Sequence, residues 1–167
     1  MKQRLPGWFY AGGILLGLLL SAQSVFSFEW PLNEPQVVST FGSPEGRSYK
    51  KGIEIASAEI EITPIQGGEV IFRGSEFALG MHDVPLPLGN MVVLQHERGI
   101  RSVYGHLSAT ADREEPFYDV TTSFGRIGST GIIGGDFVFL QIIDSEVNRF
   151  VNPMLSLPLL EDTTEPQ

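Results

Sequence analysis

Tyr49-Lys50-Lys51-Gly52-Ile53-Glu54-Ile55 is the stretch from which the rest of the chain can be read. Ile53 and Ile55 alternate with polar neighbours at a period of two, the pattern of a half-buried strand. On such a strand Lys50, Gly52 and Glu54 project to one face and the two isoleucines to the other. A base and an acid then flank a glycine, leaving an open floor bordered by charge.

Outward from this stretch the chain is broken into short extended pieces. It holds 19 glycines and 11 prolines in 167 residues, and no long run repeats apolar residues at helical spacing. The expected fold is therefore all-β, an antiparallel sheet or sandwich with little or no helix. Upstream, Val37-Val38-Ser39-Thr40-Phe41 predicts a strand stopping at Gly42, followed by a polar loop from Ser43 to Ser48. Further back, Phe28-Glu29-Trp30-Pro31-Leu32 is extended, because a residue before proline is pushed out of helical geometry. Downstream, Pro64 to Gly74 reads as turn, strand and turn, and Ser75 to Asn90 as a loop. Met91 to Gln95 and Ile100 to Leu107 predict a hairpin across His96-Glu97-Arg98-Gly99. Ala109 to Asp119 is an acidic loop, and the glycines at 125, 128 and 131 suit tight turns between short strands. Phe137 to Ile143, rich in aromatic and branched residues, is the most strand-like run, and Val151-Asn152-Pro153 closes the core. One domain over 28–158 results, with 159–167 a disordered tail.

Met1 to Ser27 reads as an export signal. Lys2 and Arg4 give a positive start, Trp8 to Leu20 is apolar, and small residues follow at Ser21, Ala22, Ser24 and Ser27. Cleavage after Ser27 is expected, with a cut after Ala22 as competitor. An uncleaved anchor is second choice, since the apolar run falls short of the roughly 20 residues a span needs. The chain has no cysteine, which excludes disulfides, thiolate metal sites and lipid attachment of the lipoprotein kind. A formal charge of −9 argues against nucleic acid and anionic membrane surfaces as partners. An exported protein, in the periplasm or on the outer side of the cytoplasmic membrane, is the expectation.

Histidines are few. His82 lies beside Asp83 in the first long loop and His96 opens a turn, and neither position demands a special role. His106 shares a strand face with Ser102 and Tyr104, opposite Val103 and Leu107. Tyr104 and His106 can therefore line a groove, and a purely structural histidine accounts for the same pattern.

Four blocks, taken in order, resemble the lysostaphin-like LytM domain, of the duplicated hybrid motif type, a family of zinc endopeptidases that cut peptidoglycan cross-links. Val38-Ser39-Thr40-Phe41-Gly42 with Gly52-Ile53-Glu54-Ile55-Ala56 is similar to a first block whose second half reads H-x-G-I-D-I-A. Pro64 with Gly67-Gly68-Glu69-Val70 is similar to the next hairpin. Val92 to His96, Gly99 and Tyr104-Gly105-His106-Leu107 are similar to the third block. Gly125 to Gly131, Phe137 to Ile142 and Val151-Asn152-Pro153 are similar to the last. The resemblance runs from Trp30 to Leu157, and its strength lies in the order and spacing of the blocks.

The resemblance implies three zinc-ligand positions, and they fall on Lys50, Glu54 and Phe139. Two assisting histidine positions fall on His106 and Phe137, of which only His106 keeps the family's residue. A catalytic zinc needs three nitrogen, oxygen or sulfur donors and one open position for water. An ammonium has no lone pair to give and phenylalanine has no donor atom. Glu54 alone can bind metal, and its extra methylene relative to aspartate places its oxygens differently. Phe137, Phe139 and Gln141 share a strand face, so the wall that would hold metal is apolar with one amide. Zinc is therefore expected to be absent, with no catalytic residue. Lys50 is expected to pair with Glu54, unless both are simply solvated.

The expected function is a catalytically inactive LytM-like domain of the cell envelope. It would bind peptidoglycan or a partner protein and regulate or scaffold cell-wall remodelling. The expected binding groove is lined by Lys50, Glu54, Tyr104, His106, Phe137, Phe139 and Gln141, unless the phenylalanines plug it as core. Two alternatives stand beside this reading. One is an active hydrolase with a non-standard site, for instance His106 with Glu54 and His82. The other is a structural subunit of an envelope complex that uses the acidic loop from Ala109 to Asp119 as its contact surface.

Overall fold

The computed structural model describes residues 27–75, 88–110, 115–131 and 135–160. The proposed export signal, His82, and most of the tail lie outside these residues.

Short extended runs make the strands. β1 (Gln36–Ser39), β2 (Pro44–Glu45), β3 (Ser48–Tyr49) and β4 (Ile53–Ala56) come first, then β5 (Glu61–Ile62) and β6 (Gly68–Ser75). β7 (Asn90–Gln95), β8 (Ile100–Gly105), β9 (Ala109–Thr110) and β10 (Phe117–Tyr118) follow. β11 (Gly125–Arg126), β12 (Val138–Asp144) and β13 (Arg149–Val151) complete the order. The only helical pieces among the described residues are two short 3-10 turns, Glu97–Gly99 and Pro153–Leu155. The fold is all-β, and among the described residues every strand pairing is antiparallel.

The main sheet has the order β1-β4-β12-β8-β7-β6-β10, with β13 added beside β12. β12 sits in the middle because it is apolar on nearly every residue, as a strand packed on both faces must be. On one face Ile53, Ile55, Val138, Leu140, Ile142, Tyr104, Val92 and Leu94 form the core. A small second sheet, β5-β11-β9, closes over it with Ile62, Phe124 and Leu107. The lead-in adds Phe28 and Leu32 to this core, held by Glu29 N–H to Ile65 O (2.8 Å) and Thr63 N–H to Pro31 O (3.0 Å). On the opposite face Glu54, Phe139 and Gly105 stand side by side across β4, β12 and β8. That row becomes the floor of the site.

The predicted hairpin forms as β7 and β8, and Arg98 (φ 56°) and Gly99 (φ 69°) supply its positive-φ turn. Three expectations need correction. Tyr49 to Ile55 is not one strand: β3 ends at Tyr49, the chain bends at Lys51 and Gly52, and β4 begins at Ile53. Gly52 is needed there, since a Cβ would press on the Leu140 carbonyl and come within 2.6 Å of the Phe139 ring. Ser43 to Ser48 is not a plain loop but contains the β2–β3 hairpin, turned by Gly46 at φ 58°. The acidic loop from Ala109 to Asp119 carries β9 and β10 at its two ends.

Candidate functional site

The bend at Gly52 is what assembles the site. Residues four apart on a straight strand lie about 13 Å from one another, too far for contact. Folded back at Lys51-Gly52, Lys50 reaches Glu54, and its Nζ donates to Glu54 Oε1 in an ion pair. Both side chains are largely withdrawn from water, at 15% and 13% exposure. The hairpin root that carries Lys50 is held by Gly42 N–H to Lys50 O and Lys50 N–H to Ser43 O, each 2.9 Å. Glu54 is thereby given a counter-charge where it would otherwise be stranded on the floor.

β8 supplies the second wall through an abrupt change of backbone. Ser102 and Tyr104 both face the core, and strand alternation would send His106 there too. His106 instead adopts φ 66°, which turns its ring to the opposite side. There it meets Phe137 edge-on at 5.7 Å and Phe139 at 6.1 Å. Tyr104 therefore does not line the groove. It is fully buried, its hydroxyl accepts the Ile65 N–H (2.9 Å), and its ring packs on Phe124 at 4.7 Å. Burial raises the Tyr104 pKa far above the usual phenol value.

His106 is held by one nitrogen. Nδ1 lies 2.9 Å from the Thr130 carbonyl, which can only accept, so Nδ1 carries the proton. Thr130 is fixed in turn by its hydroxyl, which donates to Leu107 O (2.9 Å) and accepts from Asn90 N–H (3.0 Å). Burial lowers the His106 pKa, partly opposed by the Thr130 bond and the Glu54 charge, so the neutral ring is favoured. Neutral with Nδ1 protonated, the ring keeps a bare acceptor at Nε2.

These parts enclose a groove of about 210 Å³, lined by Glu54, Phe139, Gln141 and His106, with Leu88 on one side. The β2–β3 hairpin forms the other wall with Glu45, Ser48 and Tyr49, and Lys51 sits at its base. Of the residues singled out by sequence, Glu54, His106, Phe139 and Gln141 line this groove. Lys50 pairs beneath it and Phe137 backs the histidine. The hairpin wall was missed in the sequence. Its signal is Glu45-Gly46-Arg47-Ser48, where glycine permits a two-residue turn between extended ends. His96 begins its turn as expected, yet it is buried. Nδ1 donates to Gly67 O (3.0 Å) and Nε2 accepts from the Ser102 hydroxyl (2.7 Å).

The donor set does not suit a catalytic zinc at the three positions the resemblance implies. Lys50 is engaged as a cation on Glu54, and Phe139 offers no donor. Among the described residues no group of three His, Cys, Asp or Glu side chains is placed to hold one metal ion.

No family model and no curated protein matches the sequence. Solved structures do match its fold. A zinc-containing peptidase from Vibrio cholerae superposes with a TM-score of 0.64 at 19% identity, over 77% of this chain and 39% of that one. The SpoIIQ–SpoIIIAH pore-forming complex matches with a TM-score of 0.62 at 18% identity, over 78% and 90%. The catalytic domain of the antimicrobial peptidase lysostaphin from Staphylococcus simulans matches with 0.61 at 19% identity, over 74% and 92%. The chain thus spans well under half of the Vibrio cholerae peptidase. By its architecture, the chain has the fold of lysostaphin-like peptidase domains.

Proposed function

We propose that this protein is a catalytically inactive lysostaphin-like domain of the cell envelope. It binds peptidoglycan or a partner protein through the groove beneath the β2–β3 hairpin and so regulates or scaffolds cell-wall remodelling. The observation that carries this reading is the Lys50–Glu54 ion pair, set on the floor with Phe139 beside it. A buried ammonium on the carboxylate satisfies the charge a metal would otherwise balance, and it leaves no donor set to activate water. The groove itself stays open, with aromatic, amide and carboxylate groups facing it, a composition suited to binding. A matching fold in the SpoIIQ–SpoIIIAH pore-forming complex supports a protein partner as one ligand class. The fold shared with the antimicrobial peptidase lysostaphin, together with the sequence resemblance to peptidoglycan endopeptidases, supports peptidoglycan as the other, and both favour an exported location.

Metal analysis of the purified chain, run beside a muropeptide digestion assay, tests the inactive reading. The expected result is no stoichiometric zinc and no cross-link cleavage, and either one would overturn it. Co-sedimentation with purified sacculi against pull-down from envelope fractions separates the two ligands. Tyr49→Ala and Gln141→Ala should weaken whichever binding is found.

A further inference from the structure

We infer that the β2–β3 hairpin is a hinged wall of the groove and that Lys50 is the positioning residue that latches it to the floor. The inference rests on the groove being the binding site and names what sets the width of that site. It begins with how the hairpin is attached. Before it, Phe41 packs against the core, and after it, Ile53 is fully buried. Between these fixed points every residue from Pro44 to Tyr49 is exposed, so no buried side chain seats the hairpin on the body of the domain. Its backbone bonds close on themselves. Pro44 pairs with Tyr49 and Glu45 with Ser48, while Gly42 N–H meets Lys50 O and Lys50 N–H meets Ser43 O. At the root, Ser43 bonds to the adjoining Thr40 through its N–H (3.2 Å) and its hydroxyl (3.0 Å). Glu45, Ser48 and Tyr49 line the groove, yet among the described residues none of them bonds across it. The tie from the hairpin to the floor is the ion pair of Lys50 Nζ with Glu54 Oε1.

The two ends of the hairpin differ in freedom. Gly52 is clamped, since a Cβ there would overlap Leu140 O and the Phe139 ring. Beside it, the Lys51 ammonium lies 4.7 Å over the Phe150 ring and fixes the bend further. Gly42, at φ 81°, has open space where a Cβ would stand. The hairpin can therefore turn about the Lys51-Gly52 bend while Gly42 absorbs the backbone change, as hinge residues do. Lys50 adjoins that pivot and the Gly46 turn is the far end of the lever, so a small shift at the ion pair becomes a larger one at the tip. Separating the pair strands the largely buried Glu54 carboxylate, which holds the wall at its present distance from the floor. The width of the groove is thus set by an ion pair and not by packing.

The chain has no cysteine, so two can be introduced for spin labels: Ser48→Cys on the hairpin and Glu69→Cys at an exposed position of β6. Their separation is then measured by pulsed electron spin resonance. With Lys50 and Glu54 intact a single narrow distance distribution is expected. Lys50→Met, which keeps the length of the side chain and removes its charge, should roughly double the width of that distribution. Lys50→Met combined with Glu54→Gln removes the stranded charge and so restores stability, yet it should leave the distribution broad. A pair that only stabilises the fold would give the narrow distribution again in this double variant. That result, or a broad distribution with Lys50 and Glu54 intact, would overturn the latch. No ligand enters the measurement, so it is decided apart from the groove reading, which fails if Tyr49→Ala and Gln141→Ala leave sacculus or partner binding intact.

Discussion

His96 and His106 are equally buried, at 5% and 3% exposure, and they lie near the two ends of the same pair of strands. They differ in what their nitrogens do. His96 bridges Gly67 O and the Ser102 hydroxyl and has nothing left to offer. His106 spends one nitrogen on Thr130 and keeps the other toward the groove. Burial therefore does not distinguish the two histidines; the hydrogen bond that His106 leaves unmade does.

Replacing each with asparagine should break the symmetry most visibly. His96→Asn strands the Gly67 carbonyl or the Ser102 hydroxyl and opens a cavity where Gly68 packs directly on the ring. A loss of about 3 kcal/mol is expected, read by urea denaturation. Asparagine tolerates positive φ, so His106→Asn should cost about 1 kcal/mol and act chiefly on binding. Similar losses for the two variants would sink the distinction.

The same contrast extends to the groove's charge. Lys50→Ala leaves Glu54 largely buried without its counter-ion, and about 2–3 kcal/mol should be lost. Adding Glu54→Gln should recover most of that loss, because the stranded charge goes with it. A double-mutant cycle by denaturation measures the coupling, and a value near zero would mean that both side chains are merely solvated.

Much of this was legible from residues. The alternating isoleucines of β4, the β7–β8 hairpin and the aromatic-branched run of β12 each carry a local pattern that tertiary packing then uses. Glu54 and Phe139 were brought together by the family resemblance, which puts ligand positions on both, and in the fold they are cross-strand partners. Tyr104 was misplaced because the reading carried strand alternation through to His106. The left-handed backbone at His106 ends that alternation, and no residue type announces it in advance. The Lys50–Glu54 contact depends on the bend at Gly52, where the neighbouring β12 leaves no room for a Cβ. Such a non-local cause cannot be read from a seven-residue window.

Acid should probe the two histidines together. Burial lowers both pKa values, so the unfolded chain takes up protons more readily than the folded one. Their contribution is fully present above the ordinary imidazole value of about 6.5. It is lost progressively as the pH falls from there toward the lowered folded-state values. Denaturation midpoints between pH 8 and pH 5 should therefore decline on the acid side, and His96→Asn should flatten that decline. A pH-independent midpoint in the unsubstituted protein would contradict the burial of either ring as neutral.

The smallest effect belongs to the other ion pair. Arg126 Nε meets Glu61 Oε1 at 2.7 Å, but the two side chains are 58% and 50% exposed. Glu61 also accepts from Ser123 (2.7 Å), and that bond leads in lowering its pKa, ahead of the Arg126 contributions. Water competes for every one of these contacts and salt screens the charges. Glu61→Gln should change stability by less than about 0.5 kcal/mol, with the difference vanishing at high salt. A loss as large as that of Lys50→Ala would mean that burial does not govern the strength of the two pairs. A negligible loss leaves desolvation as the variable that separates them, which also separates an open surface from the floor of the groove.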